Sequence, residues 1–262
     1  MSTWIKRLFG SGTAAGAQRD GGPCAPGGVR VYAVGDVHGR LDLLDELLAQ
    51  IAADSAASPD RRHVLVMLGD LIDRGPESAG VVDRLTRIPK GIDEMVLLCG
   101  NHEEALIELI DGDSSNLAFW LRYGGHETLL SYGIDEADID RGGDTLARAF
   151  AQAVPRSHIQ LYRDLVDHHV AGDYAFVHAG IKPGVPLDRQ RRRDLRWIRE
   201  PFLEDGRDHG HVIVHGHTIT DDVDMRPNRI GIDTGAYRSG VLTALVLDGA
   251  ARMVMQTGAV IA

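Results

Sequence analysis

Acidic, amide and imidazole side chains follow five short apolar runs of this chain, each with a glycine close by. These side chains belong to Asp36, His38, Asp70, Asn101, His178 and His217. Oxygen and imidazole ligands without a thiolate suit Mn, Fe or Zn rather than calcium or a structural zinc. The residue types therefore predict a catalytic metal site at the points where the apolar runs end.

The number of candidate ligands favours two metal ions over one. Two carboxylates about 4 Å apart, such as Asp36 and Asp70, repel by on the order of 4 kcal/mol at an effective dielectric constant of about 20. A bound cation removes that penalty. Two divalent ions about 3.5–4 Å apart that share a bridging carboxylate account for all the candidates. Such a pair lowers the pKa of a bridging water and stabilises both the attacking and the departing oxygen of an in-line displacement.

Residues beside the candidate ligands suggest the reaction. His102 follows Asn101 and can donate a proton to a leaving oxygen, while Asp73 can orient its ring and keep it protonated. Arg74 offers a planar fork for phosphoryl oxygens, and Arg199 is a candidate for a second one. Together these groups indicate phosphoester hydrolysis by direct attack of water, without a covalent phosphoenzyme.

Strands that end at one edge of a sheet would bring these side chains together. The apolar runs are Val31 to Val34, His63 to Leu68, Glu94 to Cys99, Tyr174 to Val177, and Val212 to Val214. Helical periodicity predicts a helix after each of the first three runs. These helices are Leu41 to Ala53, a second one opened by Pro76 with Val81, Val82, Leu85 and Ile88 on its inner face, and Glu103 to Ile110. The repeated order implies parallel strands with crossover helices, and such sheets bind ligands beyond the carboxyl ends of their strands.

The rest of the chain has a different pattern. Residues 111–170 predict helical segments around 117–123 and 146–154 and a helix from Pro155 to His169, forming a cap-like excursion beside the site. Two further strands, Arg229 to Ile232 and Val241 to Leu247, look antiparallel because no helix separates them. The sequence therefore predicts an α/β domain over residues 29–262 with a mixed sheet or two sheets. Residues 1–28 predict a flexible lead-in whose first ten residues are too short for a stable helix.

Composition limits the classes of function. The chain has 262 residues and a formal net charge of −10, so it lacks the basic footprint of a nucleic-acid-binding protein. Its two cysteines, Cys24 and Cys99, are too few for a disulfide framework, which suits a reducing compartment and predicts a cytoplasmic protein. No apolar run reaches the about 20 residues that span a bilayer, so stable membrane insertion is not expected.

Five motifs resemble those of the calcineurin-like metallophosphoesterases, specifically the phosphoprotein phosphatase branch. They are GDVHG at 35–39, GDLIDRG at 69–75, GNHE at 100–103, HAG at 178–180 and GHT at 216–218, in the family's order and with comparable spacing. The resemblance implies a four-layer αββα sandwich with mixed sheets, the metallophosphoesterase fold. It also implies a dinuclear site, supplied with manganese in most bacterial members, with Fe or Zn as alternatives.

The same resemblance assigns roles to the matched positions. Asp36 and His38 would hold the first metal, Asp70 would bridge, and the second would be held by Asn101, His178 and His217. His102 with Asp73 would be the acid pair and Arg74 the phosphate clamp, whereas Arg199 rests on a Trp-x-Arg match alone. His215 competes with His217 as a ligand because the two alternate along one run. Tyr237, in the family's terminal loop, is a candidate for lining the cleft.

The substrate stays open at this level. Eukaryotic protein phosphatases carry HGG where this chain has HAG, and the compact bacterial type includes both phosphoprotein phosphatases and symmetrical dinucleoside tetraphosphate hydrolases. The first hypothesis is a phosphoprotein phosphatase that uses a metal-bridged hydroxide and acts on Ser/Thr phosphoesters, with Tyr phosphoesters as a further substrate class. The second is the nucleotide hydrolase, and the third is a catalytically silent binding module, which would have lost a motif residue. The sequence does not indicate the oligomeric state.

Overall fold

Strands of residues 22–258, the part of the chain that the computed structural model describes, form two sheets of five. The strands are β1 Val29–Val34, β2 Arg62–Met67, β3 Glu94–Leu97, β4 His168–Ala171, β5 Tyr174–Val177, β6 Val212–His215, β7 Asp224–Met225, β8 Arg229–Gly231, β9 Thr243–Asp248 and β10 Ala251–Gln256. The helices are α1 Leu41–Ala57, α2 Ser78–Leu85, α3 Asn101–Ile110, α4 Leu117–Trp120, α5 His126–Ser131, α6 Glu136–Arg141, α7 Gly143–Ala153, α8 Arg156–Asp164, α9 Arg192–Trp197 and α10 Ala236–Ser239.

Both sheets are mixed. The first has the order β10-β9-β1-β2-β3, in which β1, β2 and β3 are parallel and β9 is antiparallel to β1. The second has the order β4-β5-β6-β8-β7, in which β5, β6 and β8 are parallel and β4 and β7 are antiparallel edge strands. Each sheet therefore has three parallel strands whose carboxyl ends lie at one edge.

Successive side chains of a strand point to opposite faces of its sheet, and this alternation determines which layer packs on each face. On β1, Val31 and Ala33 pack with Phe176 and Val214 of the second sheet, so the two sheets lie face to face. The alternate residues of β1, Tyr32 and Val34, pack instead against helices. On the second sheet the outer face packs against Leu195 of α9 and against Phe202. The order of layers is helices, sheet, sheet, helix, and the predicted αββα sandwich is confirmed.

Several predicted boundaries were wrong. The second helix begins at Ser78 and not at Pro76, and it ends at Leu85, so Ile88 lies beyond it and is 56% exposed. The helix predicted from Pro155 to His169 ends at Asp164, and His168 begins the edge strand β4. Helix α1 runs four residues further than expected, to Ala57.

The two late strands that the sequence suggested as an antiparallel pair do not pair with each other. Strand β8 is parallel to β6 in the second sheet, whereas β9 is antiparallel to β1 in the first. The short helix α10 lies between them. The alternative of two sheets was therefore the right one.

The predicted lead-in falls partly outside the described residues, because residues 1–21 are not among them. In the described portion, Ala25 is buried, and its backbone N–H donates to the carbonyl of Gly249. Among residues 22–258, no helix is both long and apolar enough to cross a bilayer.

Candidate metal centre and active site

Six parallel strands end at the candidate site, three from each sheet. Within four residues of each end stands a side chain that can bind a metal or carry charge: Asp36 and His38 after β1, Asp70 after β2, Asn101 after β3, His178 after β5, His217 after β6 and Asp233 after β8. All of these side chains are buried. Rigid strand ends from both halves of the sandwich thus position one cluster.

Asp70 lies at the centre of that cluster. It forms one group of potential ligand atoms with His38 and His102 and a second with His178 and His217, and within each group these atoms lie within 4.8 Å of one another. Its Oδ2 is 3.6 Å from His38 Nε2, and its Oδ1 is 3.4 Å from His178 Nε2. A single carboxylate shared by two groups has the arrangement of a bridging ligand.

The imidazoles are oriented with one nitrogen free. His38 Nδ1 is 2.8 Å from the carbonyl of Ile72, and His178 Nδ1 is 2.9 Å from that of Leu68. Because Nδ1 donates its proton to a carbonyl, Nε2 of a neutral ring carries the lone pair. His178 Nε2 therefore faces Asn101 Oδ1 at 3.0 Å with no proton to donate.

The cluster contains acceptor atoms that a bound cation would satisfy. His217 Nε2 is buried and has no hydrogen-bond partner among the described residues. Asn101 Oδ1, Asp70 Oδ1 and His178 Nε2 converge as further acceptors, of which Asp70 Oδ1 accepts the backbone N–H of His102. A buried set of acceptors is costly unless something positive lies among them. The residues present fit divalent metal ions.

Electrostatics in the cluster keep the imidazoles of His38, His178 and His217 in the neutral form that binds metal. Burial lowers the pKa of His38 and His178, and it lowers that of His217 to about 3, so the rings are neutral. Burial, aided by Asp233 and Asp70, raises the pKa of Asp36. For Asp70, burial opposes ionisation, but the imidazoles of His178, His102 and His38 outweigh it and lower its pKa.

Asp36 is held at the same point from the other sheet. Its two carboxylate oxygens lie 3.2 and 3.1 Å from the backbone N–H of His217, which donates to them. A Cβ on Gly216 would lie 2.1 Å from Asp36 Oδ1, so glycine is required for this approach. The Gly-His pair thus links β6 to β1, and His217, rather than His215, joins the cluster.

Backbone strain concentrates here. Among residues 22–258, the non-glycine residues with positive φ are His38, Asp70, Asp73, Arg74 and His217, at φ values of 47°, 47°, 74°, 68° and 62°. Non-glycine residues rarely adopt this region, and such conformations cost of order 1–3 kcal/mol each. All five belong to the set that the sequence singled out. The fold therefore holds these side chains in place against local preference.

His102 and Asp73 form a supported pair. His102 Nδ1 lies 2.5 Å from Asp73 Oδ2, and Asp73 is completely buried. The indole N–H of Trp120 donates to the same oxygen at 2.7 Å, and the Thr128 hydroxyl donates to Asp73 Oδ1 at 2.5 Å. Burial lowers the pKa of His102, but Asp70 and Asp73 outweigh it and raise the pKa. Residues of the helical excursion thus fix the carboxylate that orients His102.

This support predicts the effect of Thr128→Val. The variant keeps the shape of the side chain but removes a donor to a buried carboxylate, so we expect turnover to fall about tenfold, as for other outer partners of a site. Metal content, measured by mass spectrometry, should be unchanged. Ser131→Ala is the matched control, because that hydroxyl bonds to the Thr128 carbonyl and not to Asp73. Equal turnover of Thr128→Val and the native protein would contradict the assigned contact.

Arg74 and Tyr237 line the mouth of the site. The Arg74 Nη2 atom is 3.1 Å from His102 Nε2, and its guanidinium lies 4.8 Å from the centre of the Tyr237 ring. The Arg74 backbone N–H donates to the carbonyl of Gly124, where a Cβ would lie 2.5 Å from the Arg74 nitrogen. Arg199 is exposed, with Nη2 3.4 Å from the His217 carbonyl.

Some residues of the site were missed at the sequence level. Glu103 is completely buried, and its carboxylate accepts the N–H groups of Gly100, Asp70 and Leu71, which joins two of the ligand-bearing turns. Burial raises the pKa of Glu103 to about 7. A glutamate three residues after a helix cap is a recognisable capping signal that could have identified it. The contacts of Trp120 and Thr128 with Asp73 have no local signal.

Other histidines lie away from the cluster. His215 is buried against Phe202, and burial lowers its pKa to about 4. His158 is buried, and its Nδ1 forms a hydrogen bond with the hydroxyl of Tyr132 at 2.9 Å. Neither is part of the groups that surround Asp70.

Comparisons with known proteins agree with this arrangement. The sequence model of the calcineurin-like phosphoesterase family matches residues 29–238. Serine/threonine-protein phosphatase 2 of Salmonella typhimurium is 30% identical over 222 residues, which cover 81% of this chain and 90% of the relative. The symmetrical bis(5'-nucleosyl)-tetraphosphatase of Dechloromonas aromatica is 29% identical over 161 residues, which cover 61% of this chain and 47% of that enzyme.

A solved structure shows the same fold. The crystal structure of a putative diadenosine tetraphosphatase superposes with a TM-score of 0.62 at 23% identity. The superposition covers 87% of this chain and 94% of the other. The likeness at this identity concerns the fold and not the substrate.

Proposed function

This chain belongs to the calcineurin-like phosphoesterase family, and from that premise we propose that it is a dinuclear phosphoprotein phosphatase acting on phosphoserine and phosphothreonine esters. Metal-dependent phosphoester hydrolysis is the activity of the family, and the choice of substrate is the part proposed. Manganese as the metal, the cytoplasm as the compartment and activity on phosphotyrosine belong to the same proposal.

The observation that carries the two-metal proposal is the position of Asp70 between His38 and His102 on one side and His178 and His217 on the other, with burial lowering the pKa of His38, His178 and His217. We assign Asp36, His38 and Asp70 to one ion, and Asp70, Asn101, His178 and His217 to the other. Bound there, the ions would activate a water and neutralise charge on the phosphoryl group. The neutral state of the rings supports this assignment, since a protonated imidazole cannot bind a metal.

The other residues complete the reaction. Nε2 of His102 accepts a hydrogen bond from Arg74 in this structure; with Arg74 turned to the phosphoryl oxygens, His102 would hold a proton at Nε2 and transfer it to the leaving oxygen, while Asp73 fixes the ring through Nδ1. Arg74 would orient the phosphoryl oxygens, with its guanidinium positioned over Tyr237. Arg199, which follows α9, would supply a second contact. The 3.1 Å distance between Arg74 Nη2 and His102 Nε2 supports assigning these two residues to neighbouring parts of the reaction.

Sequence identity over a long alignment favours a protein substrate, since the tetraphosphatase PrpE of Oceanobacillus iheyensis, which aligns over 88% of its own length, is 24% identical, whereas the Salmonella protein phosphatase is 30% identical. The Salmonella protein phosphatase aligns over 90% of its own length, whereas the Dechloromonas tetraphosphatase aligns over 47%. The alignment with the Salmonella protein phosphatase covers 81% of this chain. The shorter alignment leaves more than half of the nucleotide hydrolase without a counterpart.

One surface feature favours nucleotide hydrolysis as a second candidate. Phe119 and Tyr123 are 48% and 47% exposed, with ring centres 4.5 Å apart, and Trp197 lies 6.5 Å from Phe119. Tyr123 precedes Gly124, which contacts Arg74, so these rings adjoin the mouth of the site. Exposed aromatic faces can stack on a nucleobase.

The two candidates separate in one experiment. The purified full-length protein, reconstituted with Mn²⁺, is given phosphoserine peptides and diadenosine tetraphosphate in parallel, and released phosphate and nucleotides are quantified. We expect kcat/KM for the peptides to exceed that for the dinucleotide by at least about tenfold. Turnover of the dinucleotide alone would reject the protein phosphatase in favour of the nucleotide hydrolase.

A further inference from the structure

The segment from Lys182 to Arg199 has a charge opposite to that of the rest of the chain. It contains seven Lys and Arg against two acidic residues, Asp188 and Asp194, a balance of +5. The remainder of the protein contains 21 Lys and Arg against 36 Asp and Glu, a balance of −15. A strongly basic segment in an acidic protein is a local source of attraction for anions.

Some of these cations form ion pairs within the protein, and others do not. Arg192 and Arg196 form ion pairs with Asp167, and Arg196 also pairs with Glu104. The other cations of the segment's outer surface are exposed and form no ion pair within residues 22–258. These residues are Lys182, Arg189, Arg191 and Arg193, which we call the basic ridge.

The loop that carries the ridge is braced. The Gln190 side chain accepts the Lys182 N–H at 2.8 Å and donates to the carbonyls of Lys182 and Val185 at 3.0 and 2.8 Å. One half-buried amide group therefore closes the loop, and the arginines on either side of Gln190 are exposed. A fixed arrangement of cations loses less entropy on binding than a mobile one.

Helix α9, which carries Arg193 of the ridge and directly follows Arg191, lies beside the candidate active site. The backbone N–H of Ala179, next to His178, donates to the carbonyl of Leu195 on α9. Trp197 on the same helix donates to Glu104 of α3, the helix that begins with Asn101 and His102. Helix α9 has six residues and is about 9 Å long, so its first turn lies close to the site. Arg193 and Trp197 are four residues apart and share a face.

We propose that the basic ridge docks acidic residues flanking the phosphorylated residue of a protein substrate. This inference rests on the proposed phosphoprotein phosphatase activity and narrows it to a substrate class. Arginine suits the role because its planar guanidinium binds carboxylates through two parallel hydrogen bonds. The ridge would also offset the repulsion between an acidic peptide and a protein of net charge −10.

The test compares two phosphoserine peptides of equal length, one flanked by Asp and Glu and the other by Gln and Ser. For the Mn²⁺-loaded native protein we expect KM for the acidic peptide to be about tenfold lower, equivalent to about 1.4 kcal/mol. The triple variant Arg189→Gln, Arg191→Gln, Arg193→Gln should lose this preference with kcat unchanged. Added salt should reduce the preference of the native protein because exposed charges are screened.

A second triple variant controls for bulk charge. Arg87→Gln, Arg148→Gln and Arg156→Gln remove the same charge from other exposed arginines that form no ion pair among the described residues. This variant should keep the preference for the acidic peptide. Loss of the preference in the control, or its persistence in the ridge variant, would overturn the proposal.

A binding measurement separates the proposal from the proposed function. Fluorescence anisotropy with an unphosphorylated, labelled acidic peptide at low salt requires no turnover. The native protein and the control should bind it more tightly than the ridge variant, by about tenfold. If neither phosphopeptide is hydrolysed, the proposed function fails, and the anisotropy still decides whether the ridge binds acidic segments; equal binding by all three proteins rejects it.

Discussion

Replacing His102 with alanine is expected to lower turnover by roughly 10²–10⁴-fold, the usual contribution of a general acid. The ring lies 2.5 Å from Asp73 and 3.1 Å from Arg74, so its removal takes away the group that meets the leaving oxygen. Steady-state kinetics of the Mn²⁺-loaded variant with a phosphoserine peptide would measure the loss. The exposed His168 on β4 provides the matched control, and His168→Ala should have native turnover.

Two further readouts identify the role of His102. A leaving group that is already a weak base, such as p-nitrophenolate, needs little protonation, so His102→Ala should affect p-nitrophenyl phosphate much less than the peptide. His102 Nε2 is also 3.8 Å from Asp70 Oδ2, which makes a metal-ligand role a real alternative. A variant that loses metal, and loses activity equally on both substrates, would show that His102 is a ligand and not the acid.

Asp70→Asn is the second change with a large expected effect. The carboxylate lies between two groups of imidazoles, and its replacement by a neutral amide removes both its charge and one of its ligand oxygens. We expect metal content, measured by inductively coupled plasma mass spectrometry after dialysis, to fall well below two ions per chain. Turnover should fall at least about 10²-fold, beyond the effect of losing only an outer partner of a ligand.

The control for this variant is Asp45→Asn, which removes a carboxylate from an exposed pair with Arg84 far from the cluster. It should retain native metal content and turnover. The thermal unfolding temperature of both variants, with and without Mn²⁺, separates a folding defect from a binding defect. An Asp70→Asn protein that holds two ions per chain would exclude a bridging carboxylate.

The sequence predicted the strands and turns of the site because their signals are local. A run of β-branched and apolar residues that ends in Gly-Asp or Gly-Asn-His fixes both the strand end and the side chain mounted on it. Tyr174 to Val177, predicted as a strand, is β5 with the same bounds. The predicted antiparallel arrangement of β8 and β9 was wrong because strand pairing is not a local property. Which partner a strand pairs with depends on the sheet that it joins.

Strands at the sheet edges lacked a usable pattern. Strand β10 alternates poorly, and Met253 and Val254 on it are 40% and 42% exposed. Strand β4 contains two adjacent histidines and buries only its last residue. An edge strand is stabilised by pairing with its neighbour rather than by burial of one face, so its composition carries little information.

The contacts that hold Asp73 beside His102 could not be predicted from the sequence. Trp120 and Thr128 are 47 and 55 residues from Asp73, and each contacts it through a single polar atom. No periodicity predicts such a contact, because it depends on how the helical excursion docks. The prediction that residues 111–170 lie beside the site came from position in the chain, and the contacts of individual side chains came only from the structure.

The division of the ligand donors between the two sheets has a consequence for biosynthesis. Asp36, His38, Asp70 and Asn101 come from the first 101 residues, whereas His178 and His217 come from the second sheet, translated after the whole excursion. A nascent chain shorter than 217 residues lacks His217, so it cannot form the full set of proposed ligands even when its first sheet has folded. We therefore expect catalytic activity to arise late in synthesis, when the second sheet has packed against the first.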